Sequence, residues 1–269
     1  MSRYIRLISI FLVILFLIIP LGSCKKPVYH YSGETQKNDV AVMGTVDVSQ
    51  SDSGKKRVSI TYDDGPHNIY TKKIVDELSK YGFNATFFII GNRVDGIAYN
   101  GSSALVYAAE NGNEIGIHGY THLENYNKCS DEAYREDLKK TEDAIKNEIH
   151  NANVRLMRPA WGLISDERVK ESKYSIILWN VDSEDWKYKY SSDDTEDVAQ
   201  EKIQSIVDNV MNNVSDGSTI LMHDIYESTY DATVIILERL DAEGYEVVTV
   251  SELLGETLSA GKKFSRKSE

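Results

Sequence analysis

The chain has 269 residues, of which 42 are acidic and 30 are basic, so its formal net charge at pH 7 is −12. Phosphate contacts require clustered Lys and Arg, so this balance argues against a nucleic-acid partner. The two cysteines, Cys24 and Cys129, lie in unrelated sequence contexts and provide no disulfide framework.

The first 23 residues are typical of an export signal. Arg3 and Arg6 form a positive n-region, residues 7–21 are almost wholly apolar, and small residues lead into Cys24. The motif LGSC, which ends at Cys24, resembles the lipobox of bacterial lipoproteins, where cleavage before the cysteine accompanies its lipidation. The resemblance implies a lipid anchor on Cys24 and a domain outside the cytoplasmic membrane. A retained membrane-spanning anchor is the alternative. A spanning helix needs about 20 apolar residues, and this apolar stretch is shorter.

Three segments follow the signal. Residues 24–54 are polar after the lipidated cysteine and lack periodicity, which predicts a flexible tether with an excursion of about 30 Å. Residues 55–255 are long enough for one domain with a single core. Residues 256–269 include four basic residues and are predicted to be a disordered tail.

Strand and helix patterns alternate along residues 55–255. Apolar runs typical of strands buried on both faces predict strands at 57–62, 85–90, 113–117, 154–157, 175–180, 218–222 and 245–249. Amphipathic patterns predict helices at 70–80, 102–111, 131–149, 165–171, 196–213 and 229–243, with Ser130 as the N-cap of the third. This alternation predicts an α/β fold, and a closed or nearly closed parallel barrel. An open doubly wound sheet is less favoured because no glycine-rich phosphate loop follows the first strand.

Five polar clusters each directly follow a predicted strand. Because the carboxyl ends of parallel strands meet at one edge of a barrel, these clusters predict an active-site rim. They are TYDDGP at 61–66, HGYTH at 118–122, RPAWG at 158–162, DSEDW at 182–186 and MHD at 222–224.

The first two clusters carry candidate metal ligands. His118 and His122 are four residues apart, so their imidazoles can project from one face and share a metal ion, although such pairs are also common on surfaces. Asp63 and Asp64 offer carboxylates, although this sequence is also an ordinary turn. One acid can bind the metal while the other stays free as a base. Two His and one Asp suit Zn²⁺ or another first-row divalent ion.

The later clusters carry candidate proton donors and substrate contacts. Hydrolysis needs an acid for the leaving group, and His223 ends the most apolar predicted strand. Asp185 could orient and charge this histidine as a triad carboxylate does, and Arg158 could hold a carboxylate in a bidentate pair. Trp161 and Trp186 could stack on sugar rings, while core packing is the alternative interpretation of each indole.

In this order, the five clusters resemble the polysaccharide deacetylase (NodB homology) domain of carbohydrate esterase family 4, over residues 55–255. The resemblance implies a distorted TIM-like (β/α)7 barrel in a single domain. It also implies removal of N-acetyl groups from N-acetylglucosamine polymers, or of O-acetyl groups from xylan in some members. One divalent metal ion is implied as the cofactor, with zinc as the first choice and Co, Ni or Mn as alternatives.

The resemblance implies a role for each matched residue. Asp63 becomes the general base held by Arg158, and His223 becomes the general acid tuned by Asp185. The implied metal ligands are Asp64, His118 and His122. The implied substrate contacts are the backbone N–H of Trp161 as an oxyanion donor, and Trp186 and Leu221 as walls of the acetyl-methyl pocket. The chain departs from the family at Gly119, where Ser or Thr is common, and at Ala160, where a second proline is common.

The sequence therefore predicts a lipid-anchored N-deacetylase at the outer face of the cytoplasmic membrane. The anchor and tether favour peptidoglycan as the N-acetylated polymer, because that polymer lies within reach. An acetylxylan or other O-acetyl esterase is the alternative within the fold, and a sugar-binding lipoprotein without catalysis is the alternative of another class. No protein partner is evident.

Overall fold

The computed structural model describes residues 54–96, 100–122 and 125–267, all of which belong to one compact unit. The predicted signal peptide, Cys24 and nearly all of the predicted tether lie outside the described residues. Within the described part, no helix has both the length and the apolar character needed to cross a bilayer.

Parallel strands form the centre of the domain. In the described residues they are β1 (Lys56–Asp63), β2 (Thr86–Ile89), β3 (Glu114–Ile117), β4 (Leu156–Met157), β5 (Ser175–Ile177), β6 (Val181–Asp182), β7 (Thr219–His223), β8 (Tyr245–Val247) and β9 (Lys263–Phe264). Every pairing between these strands is parallel. Each of the seven predicted strands is present, although most are shorter than predicted.

Helices connect the strands. The α-helices are α1 (Tyr70–Tyr81), α2 (Gly91–Asp95), α3 (Ser102–Glu110), α4 (Asp131–Glu148), α5 (Asp166–Glu171), α6 (Glu196–Met211), α7 (Glu227–Ala242) and α8 (Val250–Leu254). Short 3₁₀ turns lie at Ala160–Gly162, Asp185–Lys187 and Gly255–Thr257. The predicted cap of α4 is confirmed, because the Ser130 side chain accepts a hydrogen bond from the backbone N–H of Ala133.

The sheet curls towards closure. Its strand order is β6-β7-β1-β2-β3-β4-β5-β9, and β8 pairs with the first residues of β1. The described residues show no pairing between β5 and β6, yet β5 ends at Ile177 and β6 begins at Val181. Four residues span at most about 15 Å, so the two sides of the sheet must lie close together. The predicted α/β architecture, a distorted TIM-like (β/α)7 barrel in a single domain, is confirmed, with β9 rather than β6 paired to the outer edge of β5.

Both faces of β1 are buried. Val58, Ile60 and Tyr62 belong to the main apolar cluster beneath the helices and are fully buried. Thr61 and Asp63 alternate with them, so they face the interior of the curled sheet, and both accept hydrogen bonds from Arg158 there. This alternation carries an acid to the interior at the point where β1 ends.

The C-terminal residues join the sheet. β9 pairs with β5, and Arg266 forms an antiparallel bridge with Ser218, directly before β7. Phe264 packs against a small apolar cluster that contains Phe88 and Leu156. The prediction of a disordered tail over 256–269 is therefore wrong for the described residues 256–267. The sequence analysis missed this two-residue strand because the segment is rich in lysine and has a single large apolar side chain, Phe264, that packs against the domain.

Candidate active site

Two acids end β1 and turn towards the same imidazole. Asp63 is the last strand residue, and Asp64 takes a left-handed backbone conformation with φ 71°. The strand alternation therefore stops, and both carboxylates approach His118. The Nε2 atom of His118 lies 3.6 Å from Asp63 Oδ2 and 3.5 Å from Asp64 Oδ1.

Gly65 allows this turn to pack closely. A Cβ atom at Gly65 would lie 2.4 Å from each carboxylate oxygen of Asp224. Any side chain at position 65 would therefore displace Asp224 or the turn that carries Asp64. The glycine in the first cluster is thus required by close packing beside the acids.

Three side chains form a candidate metal centre. One ligand atom from each of Asp64, His118 and His122 lies within 4.8 Å of the others. His118 and His122 follow β3, and the left-handed conformation of His122, with φ 59°, turns its ring back so that the ring centroids are 4.9 Å apart. The Nε2 atom of His122 lies 3.7 Å from Asp64 Oδ1.

His118 is held in the tautomer that a metal ligand needs. Its Nδ1 lies 2.8 Å from the backbone carbonyl oxygen of Arg158, which can only accept, so Nδ1 carries the proton. The lone pair of Nε2 then faces the acids. Such an outer hydrogen bond is typical of metal-bound histidines because it fixes the ring orientation.

The donor set fits a divalent cation. Asp64 Oδ1 is buried and has no hydrogen-bond partner among the described residues, which is costly unless a cation compensates it. Burial alone raises the pKa of Asp64, but the neighbouring His118, His223 and His122 lower it overall. One ionised carboxylate and two imidazoles on a partly open site match the ligand chemistry of Zn²⁺ and related ions.

Arg158 fixes Asp63 from inside the curled sheet. Its guanidinium is fully buried and donates from Nη1 to Asp63 Oδ1 at 2.8 Å and to Thr61 Oγ1 at 2.7 Å. The Nε and Nη2 groups donate to the carbonyl oxygens of Ile177 and Leu178. The expected bidentate pair is therefore not formed: one arm holds the acid and the others bind backbone at the end of β5. This arrangement fixes the direction of the Asp63 carboxylate and leaves its Oδ2 facing the metal centre.

His223 and Asp185 form a second buried pair. The Nδ1 atom of His223 lies 2.7 Å from Asp185 Oδ1, and Asp185 Oδ2 accepts from the His223 backbone N–H and from Thr229 Oγ1. Burial alone lowers the pKa of His223, but the Asp185 carboxylate outweighs it and raises the pKa to about 9. The imidazole is therefore protonated at neutral pH in this structure.

The two tryptophans of the clusters lie at the surface. Trp161 is 53% exposed and Trp186 is 48% exposed, so core packing is excluded for both. Trp161 has a left-handed conformation with φ 55°, and its ring centroid lies 4.7 Å from that of His122, with the two rings inclined at 64°. Leu221 is buried on β7, two residues before His223 and therefore on the same face of the strand.

A cavity beside the metal centre was missed by the sequence analysis. It has a volume of about 260 Å³ and is lined by Asp64, Ile90, Asn92, Arg93, Thr121, His122, Ile225 and Tyr226. Asn92 and Arg93 lie in α2, directly after β2, where no polar cluster was considered. The rule that located the other clusters, polar residues directly after a buried strand, would also have found this pair.

Comparison with known proteins identifies the family of this chain. A family model described as polysaccharide deacetylase matches residues 50–175. The peptidoglycan-N-acetylmuramic acid deacetylase PdaC of Bacillus subtilis is 37% identical over 202 residues, covering 75% of this chain and 39% of PdaC. A peptidoglycan-N-acetylglucosamine deacetylase of Bacillus cereus is 35% identical over 214 residues, covering 75% of this chain and 90% of the relative. The chain spans about two-fifths of the length of the first curated relatives that it matches.

Solved structures show the same fold. The structure of PdaC from Bacillus subtilis matches with a TM-score of 0.64 at 36% identity, covering 74% of this chain and 90% of that one. BA3943 from Bacillus anthracis, a pseudoenzyme of carbohydrate esterase family 4, matches with a TM-score of 0.64 at 27% identity, covering 79% and 68%. The sequence match to the Bacillus cereus relative covers nearly all of that protein. The chain therefore belongs to the polysaccharide deacetylase family.

Proposed function

We propose that this chain is a metal-dependent deacetylase that removes N-acetyl groups from the amino sugars of peptidoglycan. The observation that carries the proposal is the rim itself. A candidate metal centre shares the rim with two separately held proton-transfer groups, the Asp63–Arg158 pair and the His223–Asp185 pair, and Asp63 and His223 are neighbours in the sheet register. The curated relatives are named as peptidoglycan deacetylases, which supports a cell-wall glycan as the substrate.

Asp63 serves as the general base. Its Oδ1 is occupied by Arg158, so the carboxylate is fixed in direction, and Oδ2 points towards the metal centre. There it takes a proton from the water whose oxygen attacks the acetyl carbonyl carbon. Asp64, His118 and His122 would hold the divalent ion, which, when bound, supplies Lewis-acid polarisation of the carbonyl.

His223 serves as the general acid. The raised pKa, about 9, keeps the imidazole protonated at neutral pH, and Nδ1 is tied to Asp185, so Nε2–H is the group that can donate. It transfers this proton to the sugar nitrogen as the carbon–nitrogen bond breaks, releasing acetate and a free amine. The backbone N–H of Trp161 donates to the oxyanion, and Trp186 and Leu221 border the acetyl methyl group.

The location outside the cell forms part of the same proposal. The lipobox-like motif at Cys24 supports a lipid anchor on the outer face of the cytoplasmic membrane. The tether that follows it would allow the domain to reach peptidoglycan close to that membrane.

Acetate release tests the proposed function. The zinc-loaded domain, residues 54–269, is incubated with peptidoglycan, N-acetylated chitooligosaccharides and acetylxylan, and metal content is measured in parallel. Asp63→Asn should keep one ion per domain, because Asp64, His118 and His122 remain. It should lose roughly 10²–10⁴-fold in rate, the usual contribution of a positioned base. Asp241 is an exposed acid at the far end of α7, so Asp241→Asn is the matched control and should keep both the metal ion and the wild-type rate.

Each alternative has its own outcome. Acetate from acetylxylan alone would show an O-acetyl esterase. Binding of glycans without acetate release from any polymer would show a sugar-binding protein without catalysis. Near wild-type rates for metal-loaded Asp63→Asn would remove Asp63 from the mechanism.

A further inference from the structure

Asp224 is a buried carboxylate of the rim that the proposed mechanism does not use. It directly follows His223, the last residue of β7, and is fully buried. Asp63 pairs in register with His223, so Asp64 and Asp224 are the next residues of two adjacent chain segments. The two acids have different surroundings: Asp64 approaches the histidines of the metal centre, whereas Asp224 lies against Gly65.

The Asp224 carboxylate packs directly on the backbone of Gly65. A Cβ atom at Gly65 would lie 2.4 Å from each carboxylate oxygen and 2.7 Å from Cγ, so the carboxylate fills the space that a side chain at position 65 would need. The carbonyl oxygen of Gly65 accepts the backbone N–H of Ile90 at 2.9 Å. The turn that carries Asp64 is therefore held both by the end of β2 and by the Asp224 side chain.

Thr71 aligns the Asp224 carboxylate. The Thr71 hydroxyl donates to Asp224 Oδ2 and accepts the backbone N–H of His67 at 2.8 Å. A hydroxyl has one proton to donate, so these two partners together fix the direction in which it points. Thr71 is fully buried in the first turn of α1, and its bond therefore ties Asp224 to the helix that follows the Asp64 turn.

This arrangement is unfavourable for folding by itself. Asp224 Oδ1 is buried and has no hydrogen-bond partner among the described residues. Leaving a carboxylate oxygen buried and unsatisfied reduces stability. Local exceptions of this kind are typical of functional sites, which gives Asp224 a reason to be present beyond packing.

We propose that Asp224 is a positioning residue that sets the place of the metal ligand Asp64 by packing on Gly65, and that Thr71 keeps it aligned for this task. Because Asp224 follows His223, the same side chain couples the Asp64 turn to the strand that carries the proton donor. Small displacements of such groups have large effects on metal affinity and rate. The inference rests on the proposed metal-dependent function and adds to it a residue that acts through the backbone of the turn.

The test measures the metal centre directly. The full chain, purified in detergent, is titrated with Zn²⁺ by calorimetry, and the visible absorption spectrum of its Co²⁺ form reports the coordination geometry. Asp224→Ala frees the turn, so zinc affinity should fall roughly 10–100-fold and the Co²⁺ spectrum should change. Asp224→Asn keeps the size of the side chain and an acceptor for Thr71, so it should recover most of the affinity and the wild-type spectrum.

Further variants separate positioning from a general loss of stability. Glu114 begins β3, at the opposite end of that strand from His118, and its carboxylate accepts hydrogen bonds from Thr86 and Ser251. Glu114→Ala should lower the free energy of unfolding and keep the wild-type zinc affinity and Co²⁺ spectrum. Thr71→Val removes the donor to Asp224 and should weaken zinc binding, whereas Thr71→Ser keeps the hydroxyl and should not. The Thr71 pair carries the test where Asp224→Ala folds poorly.

The outcomes separate the inference from the function beneath it. Wild-type zinc affinity and spectrum in Asp224→Ala or Thr71→Val overturn the inference, as does an equal loss of affinity in Glu114→Ala. Asp224→Asn as damaging as Asp224→Ala also overturns it, because charge rather than placement would then matter. A wild-type protein that binds zinc and releases no acetate overturns the proposed function alone, since the zinc measurements still decide the role of Asp224.

Discussion

At the scale of single residues, the candidate base and the candidate acid are each held by a buried partner. Asp185 is fully buried, and its carboxylate accepts hydrogen bonds from the backbone N–H of His223 and from Thr229 Oγ1 and pairs with the His223 ring. Arg158 is the corresponding partner of Asp63. Each reacting group is therefore oriented by a buried group of opposite charge, which costs desolvation and returns a fixed direction.

The His223–Asp185 pair gives a prediction for pH dependence. The pKa of His223 is raised from 6.5 to about 9 in the folded protein, against the effect of burial, mainly by Asp185. Asp185→Asn removes that charge, so the pKa should fall. NMR titration of His223 in metal-free protein should show it, and the alkaline limb of deacetylase activity should move to lower pH. The exposed Asp193→Asn is the control, and an unmoved titration in Asp185→Asn would contradict the assignment.

The same shift affects stability. A pKa that is higher in the folded state stabilises the fold fully below the unfolded value, 6.5, and this contribution is lost as pH rises through about 9. The free energy of unfolding of metal-free wild-type protein should therefore fall over this interval. Asp185→Asn should flatten that part of the curve.

At the scale of elements, the loop after β3 shows how the chain replaces a missing side chain. Gly119 has φ +94°, and a Cβ atom there would lie 2.9 Å from Asp137 Oδ2 and 3.0 Å from Tyr126 Oη. Asp137 reaches from α4 and accepts the backbone N–H of Tyr120. Glycine at position 119, where Ser or Thr is common, therefore leaves room for the buried Asp137 carboxylate, which binds the loop backbone from α4.

Gly119→Ala tests this loop. The variant should lose about 1–2 kcal/mol of unfolding free energy from the left-handed backbone, and the methyl group should also displace the loop between His118 and His122. Zinc affinity, measured by calorimetry, should fall roughly tenfold or more. Gly82→Ala is the matched control, since Gly82 has φ +68° and nothing within 4 Å of a Cβ atom. It should lose similar stability and keep zinc affinity; equal affinities in the two variants would refute the loop argument.

The C-terminal strand gives a second element-scale prediction. Phe264 is partly buried against the cluster of Phe88 and Leu156, so Phe264→Ala should lower the free energy of unfolding by roughly 1–3 kcal/mol. Lys262→Ala, at an exposed position of the same segment, should change it by less than about 0.5 kcal/mol. Urea denaturation measures both. Equal stability of Phe264→Ala and wild type would mean that β9 contributes nothing to the fold.

Sequence reasoning located long elements and missed short ones, for a physical reason. The pattern over 131–149 repeats through several turns, so α4 was found with its cap. α2, with five residues, and β6, with two, are too short to show a period. Such short elements form through contacts with their neighbours. In β6, Val181 and Asp182 are extended because they pair with β7.

At the scale of the whole molecule, the order of the clusters along the chain was enough to predict that they meet. The parallel sheet brings the ends of β1, β3 and β7 to one rim, so Asp64, His118 and His223 needed no long-range information beyond strand direction. The sequence did not predict the backbone conformation of the residues after each strand. The direction of the side chains there depends on left-handed backbone conformations at Asp64, His122 and Trp161. None of the three is a glycine, so their residue types do not predict this conformation.

The proposed lipid anchor gives a prediction at the scale of the whole chain. Cys24→Ala should leave a precursor that keeps its signal segment and carries no lipid, while the folded domain retains its stability. Mass spectrometry of membrane fractions and mobility of the protein on gels measure these outcomes. Unmodified wild-type protein free in the medium would remove the membrane argument for peptidoglycan.

Residues 263–266 lie between two sides of the curled sheet, with β9 on β5 and Arg266 bridged to Ser218. Synthesis runs from the N-terminus, so these residues emerge after the other eight described strands. A nascent chain that has not yet reached residue 266 therefore has those eight strands and lacks the segment that joins this side of the sheet.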